Sequence, residues 1–238
     1  MSFADCLRKA AQSYGIALTE KQVEAYRIYY DLLIEWNEKI NLTAITEPDQ
    51  VAVKHMIDSL SCHNVKVFFD GCSVIDVGTG AGFPGLPLKI FQNDLKLTLL
   101  DSLNKRVKFL STVAEILQLS DVKVIHSRAE EGAKQKIYRE KYDVAVSRAV
   151  ARLNVLCELC MPFVKVGGYF VALKGAQYAT ETQEAIRSLE LLGGKVEKTV
   201  PIKLPGIDDS RAIIYIKKVK QTPAIYPRKA GTPEKNPL

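Results

Sequence analysis

No stretch of this chain is apolar for the roughly 20 residues needed to cross a bilayer, so a membrane span is not expected. The opening residues, Met1 to Lys9, lack an apolar core and a small-residue cleavage site. A secretory leader is therefore not expected either. Cysteine is sparse: Cys6, Cys62, Cys72, Cys157 and Cys160 are odd in number and scattered. That distribution suits a reducing cytoplasm better than a disulfide framework. Cys157 and Cys160 form a C-x-x-C, but inside an apolar helical run, where small buried hydrophobes are expected. Only three histidines occur, His55, His63 and His126, and none has metal-ligand spacing to Cys, Asp or Glu. No metal site is expected.

What is present is ordinary for a globular protein with a real core: 47% hydrophobic and 25% charged residues. The length of 238 residues fits one large domain, or one domain with a small appendage. A net charge of +6 favours an anionic partner, nucleic acid included, although a solvated basic surface is the commoner explanation.

Three helices are predicted at the front, over about 3–14, from Thr19 onward, and from about 46 to 60. Thr19 and Gln22 form a capping box. Val23, Tyr26, Tyr30, Leu33 and Ile40 recur at three- and four-residue steps, marking one buried face. Asn37 falls on that stripe and needs hydrogen-bond partners there; with Asn41 it is expected to tie down the following loop. His55 lies one turn from Asp58 and Ser59, which keeps a functional role open for it.

From residue 74 strands and helices alternate, which predicts βαβ units and a mostly parallel sheet. Strands are expected at 74–77, 96–100, 122–126, 142–146 and 169–173. A closing hairpin is expected from 195–204 and 211–219. Residues 1–65 are read as a helical extension, 66–220 as the α/β core, and 221–238 as a Pro-rich basic tail packed on or near it, or simply solvated.

The informative stretch is Asp76-Val77-Gly78-Thr79-Gly80-Ala81-Gly82-Phe83-Pro84-Gly85. It reads as strand, glycine loop and helix start, with free backbone N–H groups facing an anionic ligand group. Two cofactor families fit such an opening, dinucleotides and S-adenosylmethionine. Gly80, Gly82 and Gly85 formally satisfy G-x-G-x-x-G. Counted from the strand end at Gly78, however, Phe83 falls where a dinucleotide protein wants its third glycine. Asp101, ending the second strand, is placed for ribose hydroxyls with either cofactor. The loop Ala129-Glu130, the glycine-opened fifth strand and the hairpin ending favour S-adenosylmethionine. Asp76 would balance an ammonium or orient the loop.

Taken together, Trp36-Asn37-x-x-Ile40-Asn41-Leu42-Thr43, His55-x-x-Asp58-Ser59, the 76–85 loop and Ser147-Arg148-Ala149 resemble the bacterial small-subunit ribosomal RNA guanine-N7 methyltransferases, also called glucose-inhibited division protein B. Lys174-Gly175, Arg211 and Tyr226-Pro227-Arg228 carry the likeness to the C-terminus. The resemblance implies a class I, Rossmann-like α/β fold with seven strands, the last antiparallel. It implies S-adenosylmethionine held by Gly78, Gly80, Phe83, Asp101, Ala129, Glu130 and Arg148. The substrate it implies is a guanine in a loop of 16S rRNA near the decoding centre, on the small subunit or an assembly intermediate. Arg128, Lys174, Arg211 and Arg228 are the candidate RNA contacts. Guanine N7 already presents a lone pair, so no catalytic base is expected. A methyltransferase for another substrate, or a non-catalytic rRNA-binding assembly factor, would share most of these features.

Overall fold

The computed structural model describes residues 1–148 and 151–238. The expected Ala149 of the Ser147-Arg148-Ala149 motif lies outside them. Helices α1 (Phe3–Tyr14) and α2 (Glu20–Asn37) open the chain, each with a side-chain capping box, Ser2 with Asp5 and Thr19 with Gln22. Gly15 ends α1 at φ +82°, a left-handed conformation that costs glycine little. Asn37 Oδ1 accepts from the backbone N–H groups of Leu42 and Thr43, at 2.8 and 3.0 Å, and so fixes the loop after α2. The buried stripe of α2 runs through Tyr29 rather than the expected Tyr30, which is half-buried and stacks on Phe3.

The predicted third helix is continuous but not regular. It consists of α3 (Pro48–Val51), a π-helical stretch (Ala52–Ile57) and α4 (Asp58–Leu60). A π stretch widens the helix and commonly accompanies a functional site. Here it carries His55 and ends against Asp58.

The α/β part contains β1 (Ser73–Val77), α5 (Gly85–Phe91), β2 (Lys96–Asp101), α6 (Asn104–Ile116), β3 (Val122–His126), α7 (Ala129–Gly132) and β4 (Tyr142–Arg148). Next come α8 (Leu153–Cys160) with a 3-10 turn (Met161–Phe163), β5 (Val164–Lys174), α9 (Tyr178–Glu184), α10 (Ile186–Leu192), β6 (Gly194–Ile202), β7 (Arg211–Lys218) and α11 (Thr232–Lys235). β5 starts five residues earlier than expected, because the chain leaves the 3-10 turn already extended and runs through Gly167-Gly168.

The sheet order is β3-β2-β1-β4-β5-β7-β6. β1 to β5 pair parallel, while β7 runs antiparallel to both β5 and β6. The connection order reverses between β1 and β4, which opens a crevice at the carboxyl ends of the strands. Period-two alternation along the strands splits the core in two. Val74, Leu99, Val144, Val171 and Ile213 face a cluster shared with Leu7, Tyr26, Tyr29, Leu33 and Met56 of the N-terminal helices. Ile75, Leu100, Ala145, Phe170 and Ile214 face Leu156, Phe163 and Leu189 on the other side. The front helices thus form one layer of the core. Tyr26 donates to Pro87 O at 2.8 Å and Gln22 Nε2 to Phe91 O at 2.8 Å, which pin α2 to α5. No helix among the described residues is long and apolar enough to cross a membrane.

Candidate active site

The glycine loop at the end of β1 is wired internally. Gly78 and Thr79 N–H both donate to Leu100 O, at 2.9 and 3.2 Å. Gly80 N–H donates to Asp101 Oδ2 at 2.9 Å. The N–H groups of Gly82 and Phe83 donate to Thr79 O. Gly85 N–H donates to Asp76 Oδ2 at 2.8 Å, and Thr79 Oγ1 donates to the same oxygen at 2.7 Å. The loop therefore lacks the row of free N–H donors expected from its composition. A pyrophosphate needs those donors; a ligand whose anionic part is one small carboxylate does not. The wiring removes the dinucleotide alternative on physical grounds.

Asp76 is the brace of this loop, fully buried. Its Oδ1 has no hydrogen-bond partner among the described residues, and burial pushes its carboxyl pKa up to about 7. Tyr29, which the sequence stripe missed, donates its hydroxyl to Ala81 O. Close packing explains two of the glycines. A Cβ at Gly82 would stand 2.4 Å from Leu86 Cδ1 and 2.7 Å from the Tyr29 hydroxyl, and one at Gly85 would stand 2.8 Å from Asp76 Oδ2. Gly78 and Gly80 have φ of +70° and +62°, which lets the chain turn off the strand edge.

A cavity of about 400 Å³ opens beside this loop. Val77 and Gly78 line it from β1, Asp101, Ser102 and Arg106 from the end of β2, and Ser127 to Glu130 from the loop after β3. Val155, Leu156 and Leu159 of α8 form its apolar side. Of the residues expected at the cofactor, Gly78, Asp101, Ala129 and Glu130 converge here, joined by Arg128, which was expected on RNA. Asp101 also accepts from Leu103 N–H at 2.8 Å, so both its oxygens are oriented.

Arg148 lies elsewhere, in the wall of a second cavity of about 290 Å³, and Phe83 packs behind that wall against His55 and Arg148. The cavity is lined by Lys54, His55, Asp58, Arg148, Lys174 and Arg211 among others. Arg148 Nη1 and Arg211 Nη1 donate to opposite oxygens of Asp58, at 2.9 and 2.8 Å. Beneath them the His55 ring stacks on Phe83 with centroids 4.5 Å apart, and the Arg148 guanidinium sits 4.8 Å from the same ring. His55 Nε2 meets Thr43 Oγ1 at 2.9 Å. Burial first, and then the charge of Arg148, lower its pKa to about 3, so it is neutral near pH 7.

The walls of the two cavities touch where Lys174, lining the second, donates Nζ to O of Ala151, lining the first, at 2.7 Å. Arg228 is in neither. Its backbone N–H, Nε and Nη2 all engage Glu158 of α8. Asp58 escaped the sequence reading as a hub because its two partners lie 90 and 153 residues away.

The sheet is that of known methyltransferases. A SAM-dependent methyltransferase from Aquifex aeolicus superposes with TM-score 0.53 at 19% identity, over 73% of this chain and 94% of that one. M. jannaschii TYW2, solved in complex with AdoMet, gives 0.54 at 11%, over 69% and 76%. Sequence likeness is far closer. "Ribosomal RNA small subunit methyltransferase G" of Alkaliphilus metalliredigens is 53% identical over 98% of this chain and 97% of its own length. The protein of that name from Clostridium botulinum is 47% identical over the full length of both. The family model described as rRNA small subunit methyltransferase G matches residues 22–212, a span that holds the lining of both cavities apart from Ile213, Pro233 and Glu234. With its glycine loop closed to a pyrophosphate and its likeness running end to end, this chain belongs to the rRNA small subunit methyltransferase G family.

Proposed function

We propose that this protein transfers a methyl group from S-adenosylmethionine to N7 of a guanine in 16S rRNA, in a loop near the decoding centre, acting on the small subunit or its assembly intermediate. The observation that carries this reading is the pairing of two unlike cavities at one strand edge. One has oriented carboxylates and an apolar side; the other has arginines and a stacked aromatic floor. The first cavity fits the cofactor. Asp101 receives ribose hydroxyls, and Ala129-Glu130 opposite Leu156 and Leu159 flank the adenine. The turn at Gly78 leaves room for the methionine end. Bound there, the cofactor supplies an electrophilic methyl on a sulfonium.

The protein's own part is alignment and exclusion of water. Guanine N7 attacks without losing a proton, so no general base is required and His55, neutral and tied to Thr43, needs none of that role. Arg148, Lys174 and Arg211 in the second cavity meet the base edge and the flanking phosphates, and an extruded base could stack within it. Gly80 and Phe83 act one step back, by shaping the loop and backing the wall of the second cavity.

The decisive experiment uses labelled S-adenosylmethionine with unmethylated small subunits or naked 16S rRNA, followed by mapping of the label. Incorporation at one guanine N7 is expected. Label on another substrate, or none with rRNA bound, would replace this reading with one of its two alternatives.

A further inference from the structure

We infer that the C-terminal segment, residues 229–238, is part of the cofactor site, with Pro233 and Glu234 as binding residues. This rests on reading the first cavity as the S-adenosylmethionine site. The segment lies beyond the stretch matched by the family model, and its composition reads as a solvated tail. In the fold it is neither loose nor distant. Pro233 and Glu234 line the first cavity together with Gly78, Asp101 and Glu130. Gly231 N–H donates to Glu130 Oε1 at 2.8 Å, so the tail is fastened to a residue placed beside the adenine.

The path to that point is built rather than incidental. Arg139 Nη1 donates to Tyr226 O at 2.8 Å and Nη2 to Thr222 O at 2.9 Å. Glu158, buried on α8, takes three bonds from Arg228 at 2.6 to 3.0 Å and a fourth from its backbone N–H at 2.7 Å. A buried carboxylate is costly unless fully satisfied, and here the tail is what satisfies it. Beyond Arg228 the clasp changes character: Pro233 is buried, Leu238 packs against the core cluster that contains Leu156, and Gly231 bonds to Glu130. Pro233 and Glu130 both line the cavity. The segment is therefore held where a ligand would touch it.

Chemistry assigns the two side chains. Pro233 extends the apolar surface of Val155, Leu156 and Leu159 and suits the adenine face. Glu234 brings the carboxylates lining the cavity to three, with Asp101 and Glu130, against the guanidinium groups of Arg106 and Arg128. S-adenosylmethionine carries a net positive charge and its demethylated product does not. Glu234 therefore favours the cofactor over the product.

The test is calorimetric titration of S-adenosylmethionine into the full chain and into a chain ending at Lys229, which keeps the Arg228–Glu158 and Arg139 anchors. The shortened chain is expected to melt within about 3 °C of the full one and to bind about tenfold or more weakly. Equal affinity in a folded shortened chain overturns the inference. Absence of binding by the full chain would instead overturn the cofactor reading itself. Should the shortened chain not fold, Pro233→Ala and Glu234→Gln in the full chain decide. Each is expected to weaken S-adenosylmethionine by about threefold or more, Glu234→Gln more than it weakens S-adenosylhomocysteine. Unchanged affinities in both variants overturn the inference.

Discussion

The two cavities differ in how they are made. The first is built around short segments at the ends of β1, β2 and β3, with α8 and the tail closing it, and the strand-end side takes its shape from backbone: positive-φ glycines, N–H groups bonded within the loop, carboxylates fixed by main-chain donors. The second is built from side chains brought together across the whole chain, with His55 and Asp58 from the π-containing helix, Phe83 from the glycine loop, Arg148 from β4 and Arg211 from β7. A site made of backbone can be disabled by adding atoms to it. A site made of interlocked charges is disabled by removing one. Substitutions can therefore separate the two.

The largest effect is expected from Gly78→Val. At φ +70° a β-branched residue is strained by about 1–2 kcal/mol, and Gly78 itself lines the first cavity. Cofactor affinity should fall more than about a thousandfold, or about 4 kcal/mol, while RNA binding through the second cavity persists. Calorimetry and a filter-binding assay on the same preparation measure both. Retained cofactor affinity would show that the methionine end lies elsewhere.

Next in size is Asp58→Ala. It leaves Arg148 and Arg211 facing each other without their shared carboxylate. Removing one partner from such a buried group costs about 3 kcal/mol, which urea unfolding would register. The same variant tests the placement of Arg148. If Arg148 serves the second cavity, S-adenosylmethionine affinity stays within about twofold while methylation of small subunits is lost. If affinity collapses with it, Arg148 reaches the cofactor and the two cavities work as one.

The same contrast explains what could be read from the sequence. The first cavity is local: Asp76 to Gly85, Asp101 and Ala129-Glu130 each sit at a strand end that hydrophobic alternation locates, so strand positions sufficed to bring them together. The parallel strands and the closing hairpin were legible for that reason, while the antiparallel placement of β7 was implied by the resemblance. Asn37 was legible as a loop tie because its partners, Leu42 and Thr43, are five and six residues away. The hub at Asp58 was not, since nothing in the spacing of residues 58, 148 and 211 says that they meet. Nor was the π stretch, whose widened turn leaves the apolar periodicity of 48–60 nearly unchanged. The tail, read as packed on or near the core or simply solvated, was left open by its composition for a different reason. Its proline and lysine content describes an unfolded preference, and Glu158, a carboxylate buried 70 residues away, overrides it.

The smallest effect is expected in the pH dependence of stability, where the glycine loop and the second cavity oppose each other. Asp76, bracing the loop, has its pKa raised from 3.8 to about 7 by burial. The folded state then binds more protons than the unfolded chain between about pH 4 and 7, so this group's contribution falls as pH rises through that window. His55, in the second cavity, has its pKa lowered from 6.5 to about 3. There the unfolded chain binds more protons, so stability rises with pH between about 3 and 6.5. From pH 4 to 6.5 the two slopes offset each other, and the urea midpoint of the unaltered protein should vary little on their account. His55→Gln removes the rising contribution and keeps a group able to meet Thr43, so its midpoint should decline from pH 4 to 7. Asp76→Asn does the reverse and should leave a midpoint that climbs from pH 4 to 6.5. Parallel profiles for the two variants would mean that neither group titrates as its burial dictates. Opposite slopes would show that each region carries its own buried proton-binding group and that the fold balances them between about pH 4 and 6.5.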